Sequence, residues 1–100
     1  MKKRIVYVIA RNLDAAENYL QSLVGERKIK DLIKTFYTNR RCRYEFSDSI
    51  YESASPLFIR GTKVDELHIG SDVDNDTRQK IMSTISFAEE VVEFETGDYL

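Results

Sequence analysis

Residues Arg4-Ile-Val-Tyr-Val-Ile-Ala10 form an unbroken run of β-branched and aromatic side chains with no polar position between Ile5 and Ala10. A strand with one face in water alternates apolar and polar residues, so a run without alternation needs cover on both faces. In a chain of 100 residues this fixes a central strand with helices on either side. The run ends at Arg11-Asn12. Asp14, with Glu17 three residues on, then has the form of a capping box. Ala16, Tyr19, Leu20, Leu23 and Val24 follow at helical spacing, and Gly25 supplies a stop.

The remaining chain reads as further short elements. A second helix is expected from Glu26 to about Thr38, with Ile29, Leu32, Ile33, Phe36 and Tyr37 as its apolar stripe and Arg27, Lys30 and Lys34 on the wet face. Arg41 to Phe46 alternates, Cys42, Tyr44 and Phe46 against Arg41, Arg43 and Glu45, which predicts a strand at the sheet edge. Ser47 to Ala54 reads as a short helix. Ser55-Pro56 reads as a cap with proline in the first turn, closed by Gly61, with Leu57 to Arg60 as a strand in the alternative. Glu66 to Gly70 is a strand, Asp76 to about Ala88 a helix, and Val91 to Thr96 a terminal strand. Strands alternating with helices imply right-handed crossovers. The expected fold is therefore a single α/β domain over residues 1–100, with a small three- or four-stranded, mostly parallel sheet and helices packed on it.

Composition removes several classes of function. The chain is 42% apolar and 32% charged, which suits a globular protein. No apolar run approaches the roughly 20 residues of a membrane span, so no membrane partner and a cytoplasmic location are expected. One cysteine and one histidine leave no zinc site, and a two-histidine phosphoesterase is excluded by count. No glycine-rich loop follows the first strand, and no Lys-Ser/Thr pair cradles a phosphate there. No cofactor is implied.

The stretch His68-Ile-Gly-Ser-Asp-Val-Asp-Asn-Asp-Thr77 is the densest in potential ligands. An EF-hand loop starting at Asp72 would need glycine where Thr77 stands and glutamate where Ser83 stands, so it fails. Helix capping accounts for the aspartates: Asp76 and Gln79 form a capping box, with Asp72 and Asp74 favoured by the helix dipole. The alternative is a magnesium held by Asp72 and Asp74 at the carboxyl end of a parallel strand, where open α/β sheets bind ligands. His68 reads as a packed or surface histidine in preference to a general base. Cys42 reads as a small buried residue in preference to a nucleophile, despite Arg40, Arg41 and Arg43 beside it.

Charge is divided along the chain. Residues 1–43 hold 11 Lys/Arg against 4 Asp/Glu, a net +7, and residues 44–100 hold 4 against 13, a net −9. The basic segment contains Arg27, Lys28, Lys30, Lys34, Arg40, Arg41 and Arg43, interleaved with Phe36, Tyr37 and Tyr44. That mixture can pair phosphates and stack bases, and equally leaves only cations outside if the aromatics are core.

Two stretches carry resemblances. Arg60-Gly-Thr-Lys-Val-Asp-Glu-Leu-His-Ile69 resembles the approach to a late strand in P-loop ATPases and their phage relatives, which implies a shared strand-helix layout without ATP hydrolysis. Arg11-Asn12-Leu13, with Ala16 and Tyr19, forms an RN-L-x-x-A-x-x-Y turn similar to that of small orphan α/β proteins encoded by bacteriophages. It implies an accessory protein in the host cytoplasm that acts on a host factor. The function expected is a non-enzymatic binding or regulatory module for a protein or nucleoprotein partner. The alternatives are nucleic-acid binding through the basic segment and a small metal-dependent enzyme at Asp72 and Asp74.

Overall fold

The computed structural model describes residues 3–25, 32–37, 41–54, 64–84 and 88–100. Strand β1 (Arg4–Ile9) leads into helix α1 (Leu13–Gly25). Three strands follow, β2 (Leu32–Tyr37), β3 (Arg41–Phe46) and β4 (Ser49–Ala54). Strand β5 (Glu66–Gly70), helix α2 (Asn75–Thr84), strand β6 (Glu90–Phe94) and a 3-10 turn at Thr96–Tyr99 complete the described chain. All six strands form one sheet in the order β2-β3-β4-β1-β5-β6.

β1 is central, as its unbroken apolar run requires: Val6, Val8, Ile9 and Ala10 are at most 1% exposed. It pairs parallel with β4 on one side and β5 on the other, and β5 pairs parallel with β6. β2 and β3, and β3 and β4, pair antiparallel. The sheet is thus mixed and six-stranded, where three or four mostly parallel strands were expected.

The two extra strands are the segments read as helices. Leu32–Tyr37 fits a helical stripe by spacing, but four of its six residues are Ile, Thr, Phe and Tyr, which lose rotamer freedom in a helix and pack well on a pleated surface. A register shift between Leu32 and Lys34 marks a bulge, and it breaks the alternation that would have announced the strand. Ser49–Ala54 carries Ser49, Glu52 and Ser53 at buried positions. Its place between β1 and β3 rests on ladder pairing that its own side chains do not advertise. β3 is consequently covered by β2 and is not the edge.

α1 covers one face of the sheet and α2 the other. Ala16, Tyr19, Leu20 and Val24 pack with Val8, Ala10, Cys42, Tyr44, Phe46 and Phe94 beneath α1. Ile81 of α2 packs with Tyr7, Ile9, Val64, Leu67, Ile69 and Val73. Full burial of a side chain such as Leu20 contributes about 2 kcal/mol. The cap of α1 is Asn12, whose Oδ1 accepts from the Ala15 amide at 3.1 Å, and Asp14 lies inside the first turn. The Asp14/Glu17 box is corrected accordingly: a cap must precede the first helical residue, and the helix starts at Leu13.

α2 ends its described part at Thr84, and Ala88 is not helical. The Ser55-Pro56 cap, the Leu57 to Arg60 alternative and Gly61 lie outside the described residues. Among the described residues no helix is long and apolar enough to cross a membrane.

Candidate functional site

The carboxyl ends of β1, β5 and β6 meet around Gly70 to Asp74. β1 sends its chain over one face of the sheet into α1, and β5 sends its chain over the other into α2. This is the kind of divergence at which open α/β sheets leave a ligand crevice. Here a side chain of the β5–α2 loop reaches across to the start of α1. Asp72 Oδ1 accepts from the Arg11 amide at 3.0 Å and Asp72 Oδ2 from the Asn12 amide at 2.8 Å. The carboxylate therefore sits just ahead of α1, on amides that would otherwise meet water or an anion. Gly70 keeps the strand ends close: a Cβ there would stand 2.6 Å from Thr96 Cγ2, 2.9 Å from Asp72 Oδ1 and 3.0 Å from Ala10 Cβ. On the β6 side, the Ser71 hydroxyl donates to Glu95 Oε1 at 2.9 Å and accepts from the Thr96 amide at 3.2 Å.

Asp74, not Asp76, caps α2. Its Oδ1 accepts from the Thr77 amide at 2.7 Å, while Asp76 is exposed within the first turn. The expected Asp76/Gln79 box is displaced by one half-turn because the helix begins at Asn75. Bonding to the Thr77 amide, and then to its side chain, holds the Asp74 carboxyl below the usual aspartate value, with smaller help from Arg11 and Lys80. The Arg11 guanidinium lies 4.0 Å away. Both metal candidates thus already serve as acceptors of backbone N–H groups. Among the described residues no group of three or more His, Cys, Asp or Glu side chains is placed to hold a metal.

His68 is the centre of a buried polar chain. The Tyr19 hydroxyl lies 2.6 Å from Nδ1, and Nε2 lies 2.9 Å from Glu66 Oε2. One tautomer satisfies all three groups: Nε2–H donates to Glu66 and Nδ1 accepts from Tyr19. Burial pushes the Glu66 carboxyl up, but the His68 bond, a bond shared with Glu90 and the charge of Arg4 together bring it below the usual value. Tyr19 stacks on Phe94 at 3.9 Å and meets Tyr99 edge-on at 5.1 Å. This is a packed histidine, as expected. The signal that could have named one partner was present: Glu66 and His68 are two apart on a strand and so share a face. Tyr19 comes from α1, and no local spacing connects it to His68.

The basic segment is described only in part. Arg27, Lys28, Lys30 and Arg40 lie outside the described residues. Lys34 stands on strand β2, not on a helix, and Arg41 and Arg43 stand on β3, the strand expected there. Lys34 pairs in register with Glu45, and Arg43 with Glu52. Glu45 Oε1 lies 3.5 Å from the Arg43 guanidinium, and Glu45 Oε2 lies 2.8 Å from Lys3 Nζ. Hydrogen bonding and charge from Lys3, with help from Arg43 and Lys34, hold the Glu45 carboxyl below its usual value. Tyr44 is buried in the α1 core, so it offers no ring to a base. Cys42 is buried as expected, and its amide donates to Ser53 Oγ at 3.2 Å. Comparison with protein-family models, with curated proteins and with solved structures finds no match for this chain.

Proposed function

We propose that the protein is a non-enzymatic binding or regulatory module for a protein or nucleoprotein partner. The observation that carries this reading is the engagement of the Arg11 and Asn12 amides, at the strand ends, by the chain's own Asp72. Amides with which this architecture could hold an anion serve an internal contact, and the Tyr19–His68–Glu66 chain satisfies itself. What the chain then offers a partner is surface. The phage-type turn at Arg11 to Tyr19 extends the reading to a host factor as the partner.

Nucleic-acid binding through the basic segment is the second reading, and the place of Glu45 among the described cations favours a protein over it. Glu45 stands beside Lys34 in register and within ion-pair distance of Arg43 and Lys3, so it offsets the charge that would attract a polyanion. Titration with duplex DNA and with single-stranded RNA at two salt concentrations tests the choice. Little affinity and no steep salt dependence are expected. Tight binding that weakens steeply with salt, and is lost when Lys30, Lys34, Arg41 and Arg43 are changed together to glutamine, would replace the protein-binding reading with the nucleic-acid one.

A further inference from the structure

β6 ends the sheet on one side, and among the described residues no strand pairs with its outer side. Its inner side bonds to β5 and the turns around it: the Glu90 amide donates to the Asp65 carbonyl at 3.3 Å, and the Phe94 carbonyl accepts from the Ser71 amide at 2.9 Å. Bonding residues alternate along a parallel strand, so Glu90, Val92 and Phe94 turn their backbone groups inward. The N–H and C=O groups of Val91 and Glu93 therefore point outward, where one more strand could meet them.

The side chains along this edge say which strand fits. Glu90 and Val92 pair with Glu66 and His68 and share their face of the sheet, the one that α1 covers. Val91 and Glu93 lie on the other face, where Arg78 of α2 reaches Glu93 at 2.9 Å. Val91 is 49% exposed. The edge Glu90-Val-Val-Glu93 thus sets two valines between two exposed carboxylates, one carboxylate on each face.

Cations are scarce here. Residues 88–100 contain Glu89, Glu90, Glu93, Glu95 and Asp98 and no Lys or Arg. Arg4 is shared by Glu66, Glu89 and Glu90 at 3.6, 3.7 and 3.8 Å, none of them a hydrogen-bond length. One guanidinium among three carboxylates leaves negative charge in excess, and the exposed Glu93–Arg78 pair competes weakly. A second copy presenting its own β6 would set glutamate against glutamate, one way in which natural edges resist pairing. A strand with cations in those positions is attracted instead.

The geometry points to the β6 edge as the docking site of an extended cationic segment of a partner protein, added to the sheet as a further strand. Cross-strand pairing sets the chemistry of that segment: Lys or Arg opposite Glu90, apolar residues opposite Val91 and Val92, and Lys or Arg opposite Glu93. The outward backbone groups supply the affinity, and the charges select the partner. This inference rests on the partner-binding reading and names the surface and the partner chemistry for it.

Nitrogen–proton correlation NMR of the full chain, titrated with the end-capped peptide Thr-Lys-Val-Val-Lys-Thr to millimolar concentration, tests it. Saturable shifts centred on the Val91 and Glu93 amides are expected, with slower hydrogen exchange at both. Two control peptides leave the protein unchanged. Thr-Glu-Val-Val-Glu-Thr should not bind. The lysine peptide N-methylated at both valines should not bind either, because it keeps its charge and loses its central backbone donors. In the Glu90→Lys/Glu93→Lys variant the lysine peptide should bind about tenfold more weakly and the glutamate peptide should bind in its place. If that variant melts early, Glu90→Gln/Glu93→Gln replaces it and should still weaken the lysine peptide. The proposal is overturned by an absence of saturable shifts, by shifts centred elsewhere, or by equal binding of either control peptide. Protection of the two amides on concentrating the protein alone also overturns it, since a second copy then takes the edge. Failure with the peptides leaves the partner-binding reading in place, because that reading fails by a different result, tight salt-dependent binding of nucleic acid.

Discussion

Asp72 Oδ2 lies 2.8 Å from the backbone nitrogen of Asn12, a residue 60 positions earlier in the chain. With its second oxygen on the Arg11 amide, this one carboxylate ties the β5–α2 loop to the β1–α1 loop and fixes the residue that caps α1.

A ranking of the three aspartates follows. Asp72→Ala hands two exposed amides over to water and should cost about 1.5–3 kcal/mol, the contribution of a hydrogen bond to a charged group. Asp74→Ala removes a helix cap and should cost about 1 kcal/mol. Asp76→Ala touches neither and should stay within about 0.5 kcal/mol. Urea denaturation of the three variants checks the order, and a larger loss at Asp76 than at Asp74 would return the cap to Asp76.

Gly70 is required by close approach. In Gly70→Ala the new methyl would meet Thr96 Cγ2 and Asp72 Oδ1 inside 3 Å. A cost of about 1–3 kcal/mol is expected from the forced shift. Thr96→Ser removes the nearest methyl and should recover part of that loss in the double variant. The measurement is again the unfolding free energy, and strict additivity of the two changes would count against the contact.

Tyr19 and His68 should behave as a coupled pair. Tyr19→Phe keeps the ring on Phe94 but takes the donor from a buried nitrogen, at about 1–3 kcal/mol. His68→Leu alone takes the Nδ1 acceptor away from the hydroxyl. The double variant should therefore cost less than the sum of the singles, and a double-mutant cycle with no coupling would show that the hydroxyl finds another partner.

Acid should destabilise the fold. Glu45, Glu66 and Asp74 all lie below their ordinary values in the folded protein. The unfolded chain therefore binds more protons than the folded one in this range, and stability falls as pH drops. The contribution is complete above the ordinary carboxylate range, at about pH 5, and fades as pH falls through the folded values. Melting temperatures from neutral to about pH 3 should show this decline. Glu66→Gln should flatten part of it, and an unchanged slope in that variant would assign the loss to the other carboxylates.

The legible parts of the chain are those whose pattern depends on no distant partner. The apolar run of β1 could only be central, the alternation of β3 placed Cys42, Tyr44 and Phe46 on its inner face, and Tyr19, Leu20 and Val24 marked the buried stripe of α1. β5, β6 and a helix between them were readable for the same reason: side-chain period reports local backbone period. The division of charge along the chain was readable too.

Tertiary structure decided the rest. Leu32–Tyr37 and Ser49–Ala54 became strands because β3 and β1 offered them ladders, a long-range gain that outweighs weak local preference. Asn12 and Asp74 became the caps because each stands immediately before the first helical residue, a boundary set by packing and not by composition. Asp72 found its amides, and His68 its tyrosine, across 60 and 49 positions of chain. A hydrogen bond between distant residues leaves no periodic trace in either one's neighbourhood, so only the folded arrangement brings donor and acceptor together.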